Sequence, residues 1–187
     1  GQLAGQPAPI MPPQVEQTDY QLVTSIEALS GWIDEATAQG FVAVDTETSS
    51  LNAAEAELVG ISLATAPGRA CYIPLRHSHP DSAPVDGFDF LSEDADPAPA
   101  PEQIPFDTAL AMLAPLFHNP SVLKIGHNLK YDSHVLSYPE NGGITLTPID
   151  DTMCLSYVLD AGRTERHGLD SLAMNMLGHQ TIKYEDV

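Results

Sequence analysis

The sequence predicts an α/β protein, a mixed β-sheet flanked by helices, and three observations lead there. A stretch with helical apolar spacing feeds an apolar strand near the start. Further apolar segments then follow one another with turn residues between them, the mark of a three-strand meander. Beyond about residue 105, helix and strand patterns alternate, and that order builds parallel pairs. The sheet therefore joins an antiparallel meander to parallel strands and is not a purely parallel, doubly wound one.

Taken in order, Ile26, Leu29, Trp32, Ile33 and Ala36 recur at spacings of three and four, one face of a helix that starts at Ser25. Gly40 closes it, because a glycine tolerates the left-handed turn that ends helices. Residues 41–45 form the first strand of the meander. Residues 58–64 and 70–75 form a hairpin about Pro67-Gly68. Leu110, Leu113, Leu116 and Phe117 mark a second amphipathic helix over 106–117, which Pro115 should kink or break. Residues 122–126 read as a short buried strand, 129–136 as a third helix and 144–149 as another strand. Helices over 151–159 and 169–177 complete the pattern. No repeat of 20–50 residues is visible.

A chain of 187 residues suits one domain with a core of its own, and 43% hydrophobic residues is ordinary for one. Apolar runs stay far below the roughly 18–20 residues that span a bilayer, so no membrane role is expected. Residues 1–18, rich in Gly, Pro and Gln, read as a flexible linker that joins the domain at 19–187 to something upstream. They contain no basic-then-apolar leader. Cys71 and Cys154 are too distant in sequence for a CxxC pair, form no zinc or disulfide framework, and suit a reducing cytoplasm. Seven Lys and Arg against 26 Asp and Glu leave a formal charge of −19, which repels phosphate backbones and predicts weak nucleic-acid binding by the domain alone. Asp81, Asp86, Asp89, Glu93, Asp94, Asp96 and Glu102, among prolines, mark residues 77–105 as a mobile acidic loop.

Two short motifs carry chemistry. In Val44-Asp45-Thr46-Glu47-Thr48, strand alternation places both carboxylates on one face, a costly pairing that a divalent cation relieves. In Gly126-His127-Asn128-Leu129-Lys130-Tyr131-Asp132, Asn128 and Asp132 lie four apart on one helix face. Each motif alone is weak: the first can be a solvated strand end, and Asn128 can be a helix cap.

Together they resemble the proofreading 3′→5′ exonuclease domains of bacterial DNA polymerase I (family A), within the DnaQ-like, ribonuclease H-fold exonucleases. Matching segments continue at Asp151-Thr152-Met153, at Arg166-His167-Gly168-Leu169-Asp170-Ser171-Leu172, and at Thr181-Ile182-Lys183-Tyr184-Glu185. The resemblance implies a ribonuclease H-like sheet. It also implies hydrolysis of the 3′-terminal phosphodiester of DNA, releasing nucleoside 5′-monophosphates with two divalent cations, Mg²⁺ or Mn²⁺. Asp45, Glu47 and Asp132 match the catalytic and metal-binding positions. Leu51, Asn128 and Tyr131 match positions that pack on or orient the terminal nucleotide, and Arg166 is a candidate phosphate contact, with a surface salt bridge as the alternative. Asp151 is expected to cap a helix rather than hold metal. The implied partners are a single-stranded or frayed DNA 3′ end and a polymerase domain of the same parent chain, in the bacterial cytoplasm near the nucleoid.

The family's third motif, Tyr-x-x-x-Asp or His-x-x-x-x-Asp, has no separate match: His127 and Asp132 belong to the second motif, and no Tyr has Asp at +4. The expectation is a C-terminally incomplete domain, with three of four carboxylates and its last helix missing, impaired in hydrolysis. Two other readings share these residues: an RNA 3′-processing nuclease like ribonuclease D, and a non-catalytic spacer domain of a polymerase.

Overall fold

A computed structural model describes residues 18–77, 102–160 and 166–182. The linker expected at 1–18 and the acidic loop at 77–105 fall almost wholly outside the described residues.

The sheet has six strands in the order β1-β4-β3-β2-β5-β6. These are β1 (Asp19–Leu22), β2 (Phe41–Thr48), β3 (Leu58–Ala66), β4 (Arg69–Pro74), β5 (Leu123–Gly126) and β6 (Ile149–Asp151). The meander β2-β3-β4 is antiparallel, while β5 runs parallel to β2, β6 to β5, and β1 to β4. The helices are α1 (Ile26–Gln39), α2 (Phe106–His118), α3 (Leu129–Ser137), α4 (Thr152–Leu159) and α5 (Leu169–Leu172), which widens into a π turn over Ala173–Leu177.

Alternation decides which face of the sheet is dry. Val42, Val44, Ile61, Leu63, Cys71 and Ile73 are buried beneath α1 and α2, which contribute Leu29, Trp32, Leu113, Leu116 and Phe117. Each large side chain buried there contributes roughly 1.5–3 kcal/mol. Ser25 starts α1 by accepting the Ala28 N–H at 3.2 Å, and Gly40 ends it at φ 80°. The opposite face, with Ala43, Asp45, Ser62, Ala70 and Tyr72, is only partly covered.

Four expectations change. β1 was not foreseen; its four residues are all exposed, and only pairing with β4 makes them a strand. Helix α2 runs through Pro115 to His118 instead of breaking there. Residues 144–149 do not form the expected strand. Ile144 and Leu146 are buried, but the Ile144 N–H goes to Leu136 O and the Thr147 N–H to Phe117 O, so pairing starts only at Ile149. The helix expected over 169–177 holds α geometry for four residues only.

Lys124 is fully buried yet faces no carboxylate. Its ammonium donates to Asn119 O at 2.9 Å, to Val122 O at 2.7 Å and to Thr147 O, and burial pulls its pKa below the usual value. Those bonds lash β5 to the end of α2 and to the segment entering β6.

Candidate active site

The candidate site forms where β2 outruns β5. Their parallel pairing ends at Ala43 with Ile125, while β2 continues to Thr48. Past that point Thr46 has no strand neighbour on the β5 side, and α3 fills the space. Asp132 Oδ1 accepts the Thr46 N–H at 3.0 Å and the Thr46 hydroxyl at 2.7 Å. Asp132 is 3% exposed, so these two bonds offset much of the cost of burying it. Even so, burial first and the charge of Asp151 last raise its pKa above the usual value, against the Thr46 bonds.

Asp45 and Glu47 stand on the open face of β2, opposite Ser62 and Gly60 of β3. Asp45 remains partly open to solvent, yet its pKa is pushed up to about 6, by burial foremost and then by the negative charges of Asp132 and Glu47. A cavity of about 310 Å³ lies beside it, bounded also by His127, Thr152 and Leu169. Among the described residues, no three His, Cys, Asp or Glu side chains converge tightly enough to enclose a metal ion. Donor chemistry nevertheless suits a hard divalent cation: two carboxylates on one strand face, one of them a disfavoured anion, beside a third carboxylate.

Tyr131 ties the loop after β2 to α3. Its hydroxyl meets Thr48 Oγ1 at 2.5 Å and donates to Ser50 O. Leu51, next in that loop, is 99% exposed. Asn128 precedes α3 but does not cap it: its side chain makes no capping bond, and its backbone is left-handed at φ 61°. Asp151 does cap α4, accepting the Met153 N–H at 2.9 Å. Arg166 is exposed and forms no ion pair among the described residues. Thus the structure gathers Asp45, Glu47, Asp132 and Tyr131 about the end of β2. Thr46 escaped sequence reasoning, though alternation gave a signal: it put a hydroxyl on the buried face of a strand, where a hydroxyl needs a partner.

The profile of the 3′-5′ exonuclease family matches residues 20–187. The chain belongs to that family. Its relatives include the DNA polymerase I of Rhizobium leguminosarum, 41% identical over 181 residues, covering 92% of this chain and 16% of the relative. The DNA polymerase I of Pseudomonas aeruginosa is 35% identical over 184 residues, covering 98% of this chain and 18% of the relative. The chain thus spans about a sixth of the length of these relatives. Among solved structures, Escherichia coli RNase D, described as an exoribonuclease involved in structured RNA processing, superposes with a TM-score of 0.60 at 21% identity, over 90% of this chain and 36% of that one. Brucella melitensis NrnC with bound Mg²⁺ gives 0.56 at 20% identity, over 89% and 64%. At such identities the likeness establishes the ribonuclease H-like fold of the exonuclease domain.

Proposed function

We propose that this exonuclease domain removes nucleotides from a single-stranded or frayed DNA 3′ end, as the proofreading part of a longer, cytoplasmic DNA polymerase I. The observation that carries the reading is Asp45 and Glu47 on one strand face beside Asp132, in a chain of the 3′-5′ exonuclease family. The DNA polymerase I relatives favour DNA over RNA.

In this reading Asp45, Glu47 and Asp132 hold divalent cations, Mg²⁺ or Mn²⁺, as two-metal nucleases do. A divalent cation, if held by these carboxylates, would supply Lewis-acid polarisation of the phosphate and of a water and charge stabilisation of the 3′-oxygen. The residues of the chain prepare that work. Thr46 fixes one oxygen of Asp132, which leaves Oδ2 outside those two bonds. Tyr131 holds the Ser50 carbonyl, so Leu51 is presented at the loop tip as an apolar surface for the terminal base. Asn128, released from capping, offers its amide to the terminal nucleotide, and Arg166 offers a charge to a phosphate further along the strand.

The test is hydrolysis of a 5′-labelled single strand with Mn²⁺, alongside calorimetric Mn²⁺ titration. Products shortened from the 3′ end and saturable Mn²⁺ binding, both lost in Asp45→Ala, support the reading. Hydrolysis that survives Asp45→Ala undiminished overturns it. Matched ribose and deoxyribose strands separate DNA from RNA preference.

A further inference from the structure

The turn that joins β5 to α3 carries the one non-glycine residue with positive φ among the described residues, Asn128. A left-handed residue costs of order 1 kcal/mol unless its surroundings enforce it. Here the enforcement comes from the start of α4, more than twenty residues along the chain. Asp151 Oδ1 accepts the Asn128 N–H at 3.0 Å and the Met153 N–H at 2.9 Å. Thr152 Oγ1 donates to Gly126 O at 3.0 Å, so its remaining role toward His127 Nδ1, at 2.9 Å, is acceptor. Two neighbouring side chains therefore grip all three residues of the turn, Gly126, His127 and Asn128. The β5–β6 register, which sets Gly126 opposite Asp151, makes that grip possible.

The turn cannot drift without consequence. It is pressed so closely on β2 that a Cβ at Gly126 would stand 2.8 Å from Val44 O and 2.4 Å from Leu129 Cδ2. Val44 precedes Asp45, and Leu129 begins the helix that carries Tyr131 and Asp132. The turn thus sets how α3 meets the end of β2.

We propose that Asp151 and Thr152 form a positioning clamp that holds the Gly126–Asn128 turn and thereby sets Asn128, Tyr131 and Asp132 against β2, without touching substrate or metal. The proposal builds on the nuclease reading, and Asp151 as a further metal ligand is the competing role. The backbone amides report the clamp directly. The Asn128 amide reads the bond to Asp151, and the Thr46 amide, more than a hundred residues from either variant site in sequence, reads whether Asp132 stays in place.

The experiment compares Asp151→Ala, Asp151→Asn and Thr152→Val with the unchanged protein by amide hydrogen exchange, Mn²⁺ titration and steady-state hydrolysis. Asp151→Ala should speed exchange at both Asn128 and Thr46 by about tenfold or more and lower kcat by a similar factor. Asp151→Asn keeps an oxygen acceptor, so exchange and kcat should return to within about threefold of the unchanged protein. Thr152→Val should fall between them and covers the case in which Asp151→Ala does not fold. Faster exchange at Asn128 with Thr46 unchanged reduces Asp151 to a local cap and overturns the proposal. An Asp151→Asn variant with both amides protected but Mn²⁺ binding and hydrolysis lost makes Asp151 a metal ligand and overturns it as well. An unchanged protein with no saturable Mn²⁺ binding sinks the nuclease reading, whereas the two amides still decide the clamp.

Discussion

Glu35 and Asp45 show what one protein does with the same functional group in two places. Glu35, on α1, receives Arg69 through Nε at 2.9 Å and Nη2 at 2.7 Å, with the Thr65 hydroxyl at 2.5 Å. Arg69 also reaches Asp19 of β1 and lies 4.4 Å over the Trp32 ring. The Arg69 hydrogen bonds above all, and Thr65 after them, hold the Glu35 carboxyl below its usual range. Asp45 has the reverse environment: burial, Asp132 and Glu47 push its carboxyl up to about 6. Among the described residues the ion pairs are Arg69 with Glu35 and Arg69 with Asp19, so the one ion-pairing cation serves the outer edge of the sheet and none pairs with an acid of β2. Acids that fasten the fold are neutralised by the chain itself. Acids at the end of β2 leave that charge to be balanced from outside, the pattern expected of a functional site.

The largest test of this contrast is activity. Asp45→Ala should lower metal-dependent hydrolysis by about a thousandfold or more and remove Mn²⁺ binding, because it takes away a proposed ligand of the reacting centre. Glu35→Gln should leave both unchanged. A Glu35 variant that hydrolyses as poorly as the Asp45 variant would dissolve the division into fastening and functional acids. Next comes Thr46→Val, which keeps the backbone donor to Asp132 but removes the hydroxyl. A loss of about 1–2 kcal/mol in denaturant unfolding, with weaker Mn²⁺ binding, would show that neutral donors keep Asp132 usable.

Stability against pH should send the two sites in opposite directions. A carboxyl whose folded-state pKa lies above its unfolded value binds its proton more tightly when folded, so ionising it weakens the fold. Asp45→Asn should therefore be more stable than the unchanged protein above pH about 6, with the gain fading as pH falls toward the ordinary Asp value of 3.8. Glu35 has the lowered pKa, so its contribution is present above the ordinary value of 4.5 and lost as pH falls through the folded-state value. Glu35→Gln should cost stability at pH 7 and nothing in strong acid. Thermal melts of both variants between pH 3 and 8, without metal, check the crossing.

The same division explains what sequence could and could not reveal. Periodicity and end signals are local, so α1 with Ser25 and Gly40, the hairpin about Gly68, and Asp45 with Glu47 on one face were all legible. The strand over 144–149 misled because Ile144 and Leu146 alternate and are buried, while the N–H groups of Ile144 and Thr147 go to Leu136 O and Phe117 O rather than to a ladder. β1 gave no signal, since Asp-Tyr-Gln-Leu has no buried face and its order comes from β4. In the site, the spacing of Asn128 to Asp132 was weak alone, and Asp132 was singled out only by the resemblance that both motifs carry together. Its Thr46 partner and the grip of Asp151 and Thr152 on the turn were not legible, because contacts between distant positions leave no periodicity in the chain.

The smallest expected effect asks whether the fastening site needs geometry or only charge. Arg69→Lys keeps one positive charge but loses the planar fork that bonds both Glu35 oxygens while reaching Asp19 and covering Trp32. Both partners are about one-third exposed, so the solvent-screened pair limits the loss to about 1 kcal/mol, read from the denaturant midpoint at pH 7. Glu35→Gln made in the Arg69→Lys protein should then cost less than it does alone, because the bidentate bond it removes is already gone. Equal costs in the two backgrounds would mean that Glu35 is held by its charge and by Thr65, and that the fork of Arg69 contributes nothing beyond a nearby cation.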